Sequence, residues 1–508
     1  MRFPRLLAGF IGFALMVVEI ASLRIVAPYI GVSVYTWTSV IGAVLLGITL
    51  GNAVGGELSD RRPSPALLGG SIASAGAAIL LANYLVPVLG SGLARVAAPV
   101  WCKTVWFACV AFFPAAFTLS MIPPQIAKAT VQDLTRAGRI FGSLGAASAV
   151  GSIIGTFATG YVLIAFLGTK ALMDALAISL LILGSIIAHP VALWKHRVAG
   201  LVMLFLVGEV FLPKLCSVET QYYCIRVDRK TETNDPARYH YVLRLDHLVH
   251  SYVYPHQPDQ VGYGYEQVYT NVIAMRFARE ASFSSLFIGG GGYSLPRYLE
   301  RFYPHADLNV AEIDPGVTEV NHRLMELSRT TRIKTFSQDA RMYLAEQAPT
   351  SSFDLVFGDA FNDFSVPTHL TTLEFHRLLK TRMRPQGVYA LNIIDDAEYG
   401  QFLAAMIRTL RGVWQYVYVA PNGSEIHSGR NTIILLASDE PIDLAAWQAA
   451  SAPHEPDTPF DPDTHRRAIT LVSEEKVDAF LRAHPTPALT DAFAPTERYL
   501  APVFADAY

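Results

Sequence analysis

The chain has little charge and few cysteines. Of its 508 residues only 16% are charged and only four are cysteine. About a quarter of the residues in a soluble domain are charged, so a single soluble domain is excluded. The cysteines are too few for a disulfide-rich module, and no Cys-x-x-Cys or paired-histidine spacing occurs, so we expect no metal. The net charge of −3 lacks the basic excess that binding to nucleic acid needs.

The charge is unevenly distributed along the chain. Residues 1–213 contain 13 Lys and Arg and 6 Asp and Glu, whereas residues 214–508 contain 27 and 37. The first part therefore predicts a transmembrane helical domain, and the second part predicts soluble domains with an acidic surface.

Seven apolar segments in the first part are about long enough to span a bilayer. They lie at 6–28, 36–56, 66–90, 100–122, 141–166, 171–189 and 198–214. The first is too long for a cleaved signal peptide, and similar segments follow it. We therefore predict a multi-pass helical bundle in the cell (inner) membrane, with the lipid bilayer as a partner.

Basic residues are concentrated in alternate loops. They are Arg2, Arg5, Arg61, Arg62, Lys128, Arg136, Arg139, Lys195 and Arg197. The positive-inside rule puts the N-terminus in the cytoplasm, and seven spans would put the soluble half outside. A miscounted span would reverse that side, so the sequence leaves it open. Cys216 and Cys224 could form a disulfide if their segment is extracytoplasmic.

Small residues dominate the fifth segment. Gly151 and Gly155 are four residues apart, on one face of the helix, and permit close contact with another helix. We expect this contact within the bundle, with a homodimer seam as the alternative.

The soluble half divides by its apolar pattern. Residues 214–280 predict short strands, as in a small β-subdomain. Residues 281–440 alternate strands with helices, which predicts a doubly wound parallel sheet with ligands at the carboxyl ends of its strands. The predicted strands are 285–288, 308–312, 332–336, 355–358, 388–393, 415–420 and 431–437, the last two as an antiparallel pair. Residues 441–508 predict a loop and a short helix around 473–483.

Three motifs follow consecutive predicted strands of this sheet. Glycines 289–292 open a helix, where backbone amides can approach a ligand. Glu312 lies 23 residues beyond Gly289 and is placed to bind both ribose hydroxyls. Asp339 can accept a hydrogen bond from an adenine amino group or cap a helix, and the two roles are compatible.

Asp359 follows the fourth predicted strand. It would lie at the centre of the ligand edge, where a carboxylate can take a proton from an amine or bind a cation.

These motifs, in this order, resemble the spermidine synthase (polyamine aminopropyltransferase) family, in its multi-span, membrane-fused branch. The resemblance rests on residues 219–227, 245–251, 263–266, 286–294, 312–315 and 358–359. It implies a small β-subdomain followed by a Rossmann-like, methyltransferase-type domain. It also implies an enzyme on which an amine attacks decarboxylated S-adenosylmethionine and methylthioadenosine leaves.

The resemblance also implies roles for individual residues. Glu312 would hold the ribose, Asp339 the adenine, and Asp359 would be the catalytic base. The other implied cofactor-binding residues are Gly289, Gly290, Gly291, Asp314 and Ala340. The implied substrate-binding residues are Tyr263 and Tyr265 along a channel, Glu266 at its far end, and His250 and Asp363.

Three positions depart from the family pattern. Gly292 stands where the family has the Asp that holds the amino end of the decarboxylated substrate, Asn362 replaces a second Asp, and His250 replaces Gln. An acid at 292 would repel the carboxylate of intact S-adenosylmethionine. We therefore expect the intact form to bind at least as well, and Gly292→Asp to reverse the preference.

Several functions remain open at this point. The leading one is γ-carbon chemistry on either form of S-adenosylmethionine: aminopropyl or aminocarboxypropyl transfer, or an acceptor-free lyase reaction. The alternatives are a methyltransferase, and a transporter whose soluble half senses a nucleoside. For Glu312→Ala we expect loss of nucleoside binding with little effect on folding.

Overall fold

The computed structural model describes residues 3–31, 33–93, 100–131, 133–188, 216–232, 235–360, 366–396, 399–422, 429–452 and 468–505. The chain forms two compact units, Met1–Cys224 and Ile225–Ala507.

Long apolar helices make up the first unit. They are α1 (Pro4–Ile30), α2 (Val34–Arg61), α3 (Pro65–Leu93), α4 (Val100–Ser120) running into α5 (Ile122–Thr130), α6 (Ala137–Ala158) running through a π-turn into α7 (Ile164–Leu167), and α8 (Thr169–Ala188). Counting each continuous pair once, the described residues contain six helices long and apolar enough to cross a membrane, not seven. The first six predicted segments are confirmed, and the seventh, 198–214, lies outside the described residues.

Two glycines of α6, Gly151 and Gly155, pack inside this unit. A side chain at Gly151 would overlap the carbonyl oxygen of Gly9 on α1, and a Cβ at Gly155 would lie 2.7 Å from the carbonyl oxygen of Phe13. This face is therefore covered by α1, as expected for packing within the bundle, and these two glycines are not available for a homodimer seam.

The second unit begins with an antiparallel meander. Its strands are β2 (Cys224–Glu232), β3 (Asp235–Leu245) and β4 (Leu248–Val253), and the short β1 (Val218–Glu219) precedes them. The helix α9 (Glu266–Arg276) follows the meander.

A seven-stranded sheet forms the centre of the second unit. Its strands are β5 (Ser284–Ile288), β6 (Asp307–Ala311), β7 (Lys334–Phe336), β8 (Phe353–Gly358), β9 (Met383–Asp396), β10 (Tyr416–Pro421) and β11 (Arg430–Ser438). Their order is β10-β11-β9-β8-β5-β6-β7. The pairs from β9 to β7 are parallel, and β11 is antiparallel to both β9 and β10. Each predicted strand is present.

Helices separate most of these strands. They are α10 (Ser294–Phe302), α11 (Pro315–Leu324), α12 (Ala340–Glu346), α13 (Leu373–Arg382) and α14 (Gln401–Arg411), followed after the sheet by α15 (Leu444–Ser451), α16 (Glu474–Ala483) and α17 (Thr496–Ala505). The chain runs from β5 towards β7 on one side and from β8 towards β9 on the other, so the strand order reverses between β5 and β8. Doubly wound sheets bind ligands at such a point.

Candidate active site

The turn after β5 is held in a fixed conformation. Gly289 has φ +98°, and a Cβ there would lie 2.7 Å from the carbonyl oxygen of Asp359, so only glycine fits. Asn321 on α11 donates a 2.7 Å hydrogen bond from Nδ2 to the carbonyl of Gly291. The glycines thus bring the backbone of β5 against the chain that leaves β8.

Glu312 lies beside this turn, after β6. Its carboxylate is buried and accepts hydrogen bonds from the amides of Gly290 (2.7 Å) and Asp314 (2.9 Å), one on each oxygen. Burial raises the pKa of Glu312, and these amide bonds oppose the rise. Each oxygen keeps a further lone pair for a ligand, so the carboxylate is oriented before any ligand binds.

The next two acids act as helix caps. Asp314 is buried and accepts a 2.8 Å hydrogen bond from the amide of Gly316 at the start of α11. Asp339 caps α12 through one oxygen, and its other oxygen lies 2.7 Å from Nε2 of His369. Burial acts to raise the pKa of Asp339, but the bonds from His369 and the α12 amides outweigh it and lower the pKa. Ala340, the first residue of α12, is buried.

Asp359 follows β8 at the reversal point of the sheet. Tyr265 donates its phenol hydrogen to Oδ2 (2.6 Å), and Asn392 donates from Nδ2 to Oδ1 (2.7 Å). Burial raises the pKa of Asp359, and both hydrogen bonds oppose the rise. The side chain is therefore held by two neutral donors.

Asn392 is a residue that the sequence analysis missed. It lies on β9, whose Leu391 is paired with Gly358, so it stands beside the position after β8. Its Oδ1 is buried and has no partner among the described residues. The signal in the sequence is a single amide within the apolar run Leu391–Ile394.

Two tyrosines form a wall next to Asp359. The rings of Tyr263 and Tyr265 are stacked with centroids 5.4 Å apart and an interplanar angle of 20°. Unlike Tyr265, Tyr263 directs its phenol away from Asp359, to the carbonyl of Val249 at 2.7 Å. The wall thus brings two aromatic rings, and the phenol of Tyr265, next to the acid.

Glu266 and His250 are buried near this wall. Glu266 begins α9, is 7% exposed and accepts a 2.7 Å hydrogen bond from the amide of Tyr263. Burial raises its pKa to about 8, against the effect of that amide. Burial also lowers the pKa of His250 to about 4, and its Nε2 is buried without a partner among the described residues. Asn362 and Asp363 lie outside the described residues.

The space beside Gly292 is filled by β4. Ser251 Oγ accepts a 3.0 Å hydrogen bond from the amide of Gly292, and a Cβ at 292 would lie 2.6 Å from both Ser251 Cβ and Val253 Cγ2. An acid side chain at 292 therefore does not fit without a change in β4.

Glu312 and Asp359 make the described part of the site acidic. Neither Glu312 nor Asp359 forms an ion pair with a Lys or Arg within the described ranges. Nor do those ranges hold a group of three His, Cys, Asp or Glu residues able to bind a metal. Two oriented, buried carboxylates without a basic ion-pair partner among the described residues favour a cationic ligand.

The sequence is similar to polyamine aminopropyltransferases. It is 28% identical over 211 residues to polyamine aminopropyltransferase of Vibrio vulnificus, covering 41% of this chain and 67% of that protein. It is 30% identical over 241 residues to polyamine aminopropyltransferase 2 of Pseudomonas aeruginosa, covering 41% and 62%. The soluble half of the chain is therefore similar to the spermidine synthase family.

The remaining comparisons define how far that similarity extends. The chain spans about two thirds of the length of these two polyamine aminopropyltransferases. No protein-family model matches the sequence. The crystal structure of a probable spermidine synthase from Corynebacterium glutamicum aligns with a TM-score of 0.45 and 20% identity, covering 56% of this chain and 99% of that one. The six apolar helices are compatible with the membrane-fused branch.

Proposed function

We propose that the chain is a membrane-anchored, spermidine synthase-like enzyme. It acts at the γ-carbon of S-adenosylmethionine or of its decarboxylated form and releases methylthioadenosine. The observation that carries the proposal is Asp359, held by Tyr265 and Asn392 at the reversal point of the sheet, across the glycine turn from Glu312.

The arrangement suits a sulfonium nucleoside. Glu312 accepts hydrogen bonds from the two ribose hydroxyls, and the glycine turn lets the rest of the ligand approach the backbone. Asp339 and Ala340 lie at the adenine end, where His369 already occupies one oxygen of Asp339. The sulfonium then faces Asp359 and the Tyr263–Tyr265 wall, since a cation is attracted by a carboxylate and by aromatic faces.

In the transfer reaction, an amine attacks the carbon next to the sulfonium. The new N–C bond forms as the C–S bond breaks, and the bonding electrons go to sulfur, so methylthioadenosine leaves as a neutral product. Asp359 takes the proton that the amine gives up. His250, Tyr263, Glu266 and Asp363 are the residues proposed to bind the acceptor.

An acceptor-free lyase reaction uses the same site. The carboxylate of intact S-adenosylmethionine attacks its own γ-carbon, the C–S bond breaks, and a lactone leaves with methylthioadenosine. No proton is transferred, so Asp359 acts by its charge and by orientation. The resemblance places an acid at position 292, but this chain has glycine there. No negative charge at that position therefore repels the substrate carboxylate.

We further propose that α1 to α8 insert in the membrane. Their length and apolar composition support this, together with the many apolar side chains that they expose, such as Leu46, Ile153 and Phe157. Carbonate extraction of membranes from an expressing cell tests insertion, since an inserted protein stays in the pellet.

The chemistry is tested by identifying the nucleoside product. Purified full-length protein is incubated with each form of S-adenosylmethionine, with and without a polyamine, and Asp359→Asn serves as the matched control. Methylthioadenosine supports the proposal. S-adenosylhomocysteine would identify a methyltransferase instead, and nucleoside binding without any product would favour a sensing domain of a transporter.

A further inference from the structure

A disulfide closes a short loop at the end of the first unit. Cys216 and Cys224 are bonded, with their Cα atoms 5.2 Å apart. Disulfides persist in oxidising compartments and are reduced in the cytosol. The pairing, which the sequence left conditional on the compartment, is thus a first indication of where this loop lies.

The loop is bound to one end of the helical bundle. Arg24, near the end of α1, donates hydrogen bonds from its guanidinium to the carbonyls of Thr220 (2.6 Å) and Tyr222. The carboxylate of Glu219 accepts from the amide (2.9 Å) and the hydroxyl of Thr169, at the start of α8. The loop therefore lies where α1 ends and α8 begins.

Close helix contacts define the direction of each span. Gly9 and Phe13 of α1 meet Gly151 and Gly155 of α6 in the same order, so these helices are parallel. The same holds for α2 and α4–α5, where Gly47 meets Ala116 and Gly55 meets Met121. Gly69 of α3 meets Ala188 of α8, whereas Gly76 meets Ala177, so this pair is antiparallel. Gly90, near the end of α3, meets Tyr29, near the end of α1, and Gln125 of α5 donates a hydrogen bond to Ser71, near the start of α3. With these two contacts, consecutive spans alternate in direction.

The two ends of the bundle differ in charge. The end away from the loop carries Arg5, Arg61, Arg62, Lys128, Arg136 and Arg139. At the loop end, the cations among the described residues are Arg24, Lys103 and Lys170. Arg24 is hydrogen-bonded to the loop, and Nζ of Lys170 lies 3.1 Å from Oδ2 of the buried Asp174. The positive-inside rule therefore assigns the end away from the loop to the cytoplasm.

We propose that the disulfide-closed loop, and with it the catalytic second unit, lies on the non-cytoplasmic side of the membrane. Oxidation of the loop and the charge of the opposite bundle end are independent observations that agree. The α8 helix ends at the opposite end of the bundle, and the seventh segment predicted from the sequence, 198–214, lies between α8 and the loop. Ile225 follows Cys224 directly, and no candidate span occurs among the described residues beyond Cys224, so the second unit stays on the side of the loop. The site then takes its sulfonium nucleoside from the non-cytoplasmic side. The inference depends on the proposed membrane insertion and not on the reaction catalysed.

Cysteine labelling tests the side directly. Cys102 and Cys109, the free cysteines among the described residues, are first replaced by Ser. Glu475→Cys then marks an exposed position of α16, and Ser64→Cys marks the exposed loop between α2 and α3. With a membrane-impermeant maleimide on intact spheroplasts, we expect full labelling of Glu475→Cys and none of Ser64→Cys, which should label only after detergent is added. The reverse pattern would overturn the proposal.

Thiol counting tests the disulfide in the same Ser-substituted protein without the added cysteine. After acid trapping of cells, a polyethylene glycol-maleimide should shift the mobility only if a reductant is added first, and then by two adducts. Two adducts without reductant would contradict an oxidising location. Release of the protein by carbonate would overturn both insertion and sidedness, whereas retained protein with reversed labelling would overturn sidedness alone.

Discussion

The phenol of Tyr265 donates a 2.6 Å hydrogen bond to Oδ2 of Asp359, the acid at the reversal point of the sheet. This bond stabilises the ionised form of Asp359 and so lowers its pKa against the effect of burial. The base that we propose must be ionised to act, so we expect the bond to extend the active range to lower pH.

Tyr265→Phe should move the acid limb of the kcat/KM profile to higher pH. A hydrogen bond to a charged group contributes about 1.5–3 kcal/mol, so we expect a shift of about one to two pH units. Tyr263→Phe is the matched control. Tyr263 belongs to the same stacked pair of rings, but its phenol donates to the carbonyl of Val249 and not to Asp359. An identical acid limb in both variants would show that the bond does not tune Asp359.

Asp359→Asn keeps the shape of the side chain and removes its charge. For amine transfer we expect a rate loss on the order of 10²–10⁴ with nucleoside affinity nearly unchanged, as for other positioned bases. For a lyase reaction the loss should be smaller and nearly independent of pH above the carboxylate pKa. Product formation by mass spectrometry measures both, and full activity in both assays would leave Asp359 without a catalytic role.

Glu312 should separate nucleoside binding from folding. Glu312→Gln keeps an acceptor for one of the two backbone amides and removes the charge, so we expect about 10- to 100-fold weaker binding of methylthioadenosine by calorimetry, with a smaller loss of Tm than in Glu312→Ala. Glu312→Ala should lose binding as well and lower the Tm, because the amides of Gly290 and Asp314 then lack a partner. Unchanged affinity in Glu312→Gln would remove this residue from the ribose site.

Gly292→Asp should destabilise the protein rather than simply change its substrate preference. The added Cβ overlaps Ser251 and Val253, and overpacking of this kind costs about 1–3 kcal/mol. We expect a Tm lower by several degrees, and partial recovery when Ser251→Gly and Val253→Ala are added. A shift towards decarboxylated S-adenosylmethionine is then expected in the triple variant. If Gly292→Asp alone has the Tm of the wild type, β4 accommodates the added side chain without a loss of stability, and the predicted overpacking is wrong.

Glu266 makes the stability depend on pH. Its pKa of about 8 in the folded chain lies above the model-peptide value of 4.5, so the stability it contributes is complete below pH 4.5 and is lost as the pH rises to about 8. The steepest loss is about 1.4 kcal/mol per pH unit. Glu266→Gln should therefore gain in Tm relative to the wild type from pH 5 to 8, unlike the exposed control Glu475→Gln. If the Tm of Glu266→Gln and that of the wild type change with pH in parallel, Glu266 does not have the raised pKa of a buried carboxyl.

The strands and the acids that follow them were predictable because they depend on local patterns. Apolar runs broken by glycine or acid specify where β5, β6 and β8 end, and parallel strands bring those ends to one edge. Gly289, Glu312 and Asp359 were therefore assigned to one site from spacing and resemblance, and the structure brings them together.

The partners of those acids were not predictable, because they come from distant parts of the chain. Asn392 reaches Asp359 through the β8–β9 register, and His369 reaches Asp339 across 30 residues. The amides bonded to Glu312 likewise change the expected effect of Glu312→Ala on folding. The clash of Ser251 with a side chain at 292 depends on how β4 packs against the glycine turn, which no local pattern encodes.

The packing of Ser251 against Gly292 restricts how the sequence can change over generations. While Ser251 and Val253 keep their side chains, every residue other than glycine at 292 meets β4 at 2.6 Å, so selection for folding retains glycine whatever the substrate. An acid can appear at 292 without a loss of stability only after β4 has lost volume, and until then a smaller side chain at 251 leaves a small cavity and gives up a hydrogen bond. The two positions are therefore epistatic, and a change of substrate preference through 292 requires substitutions in a set order.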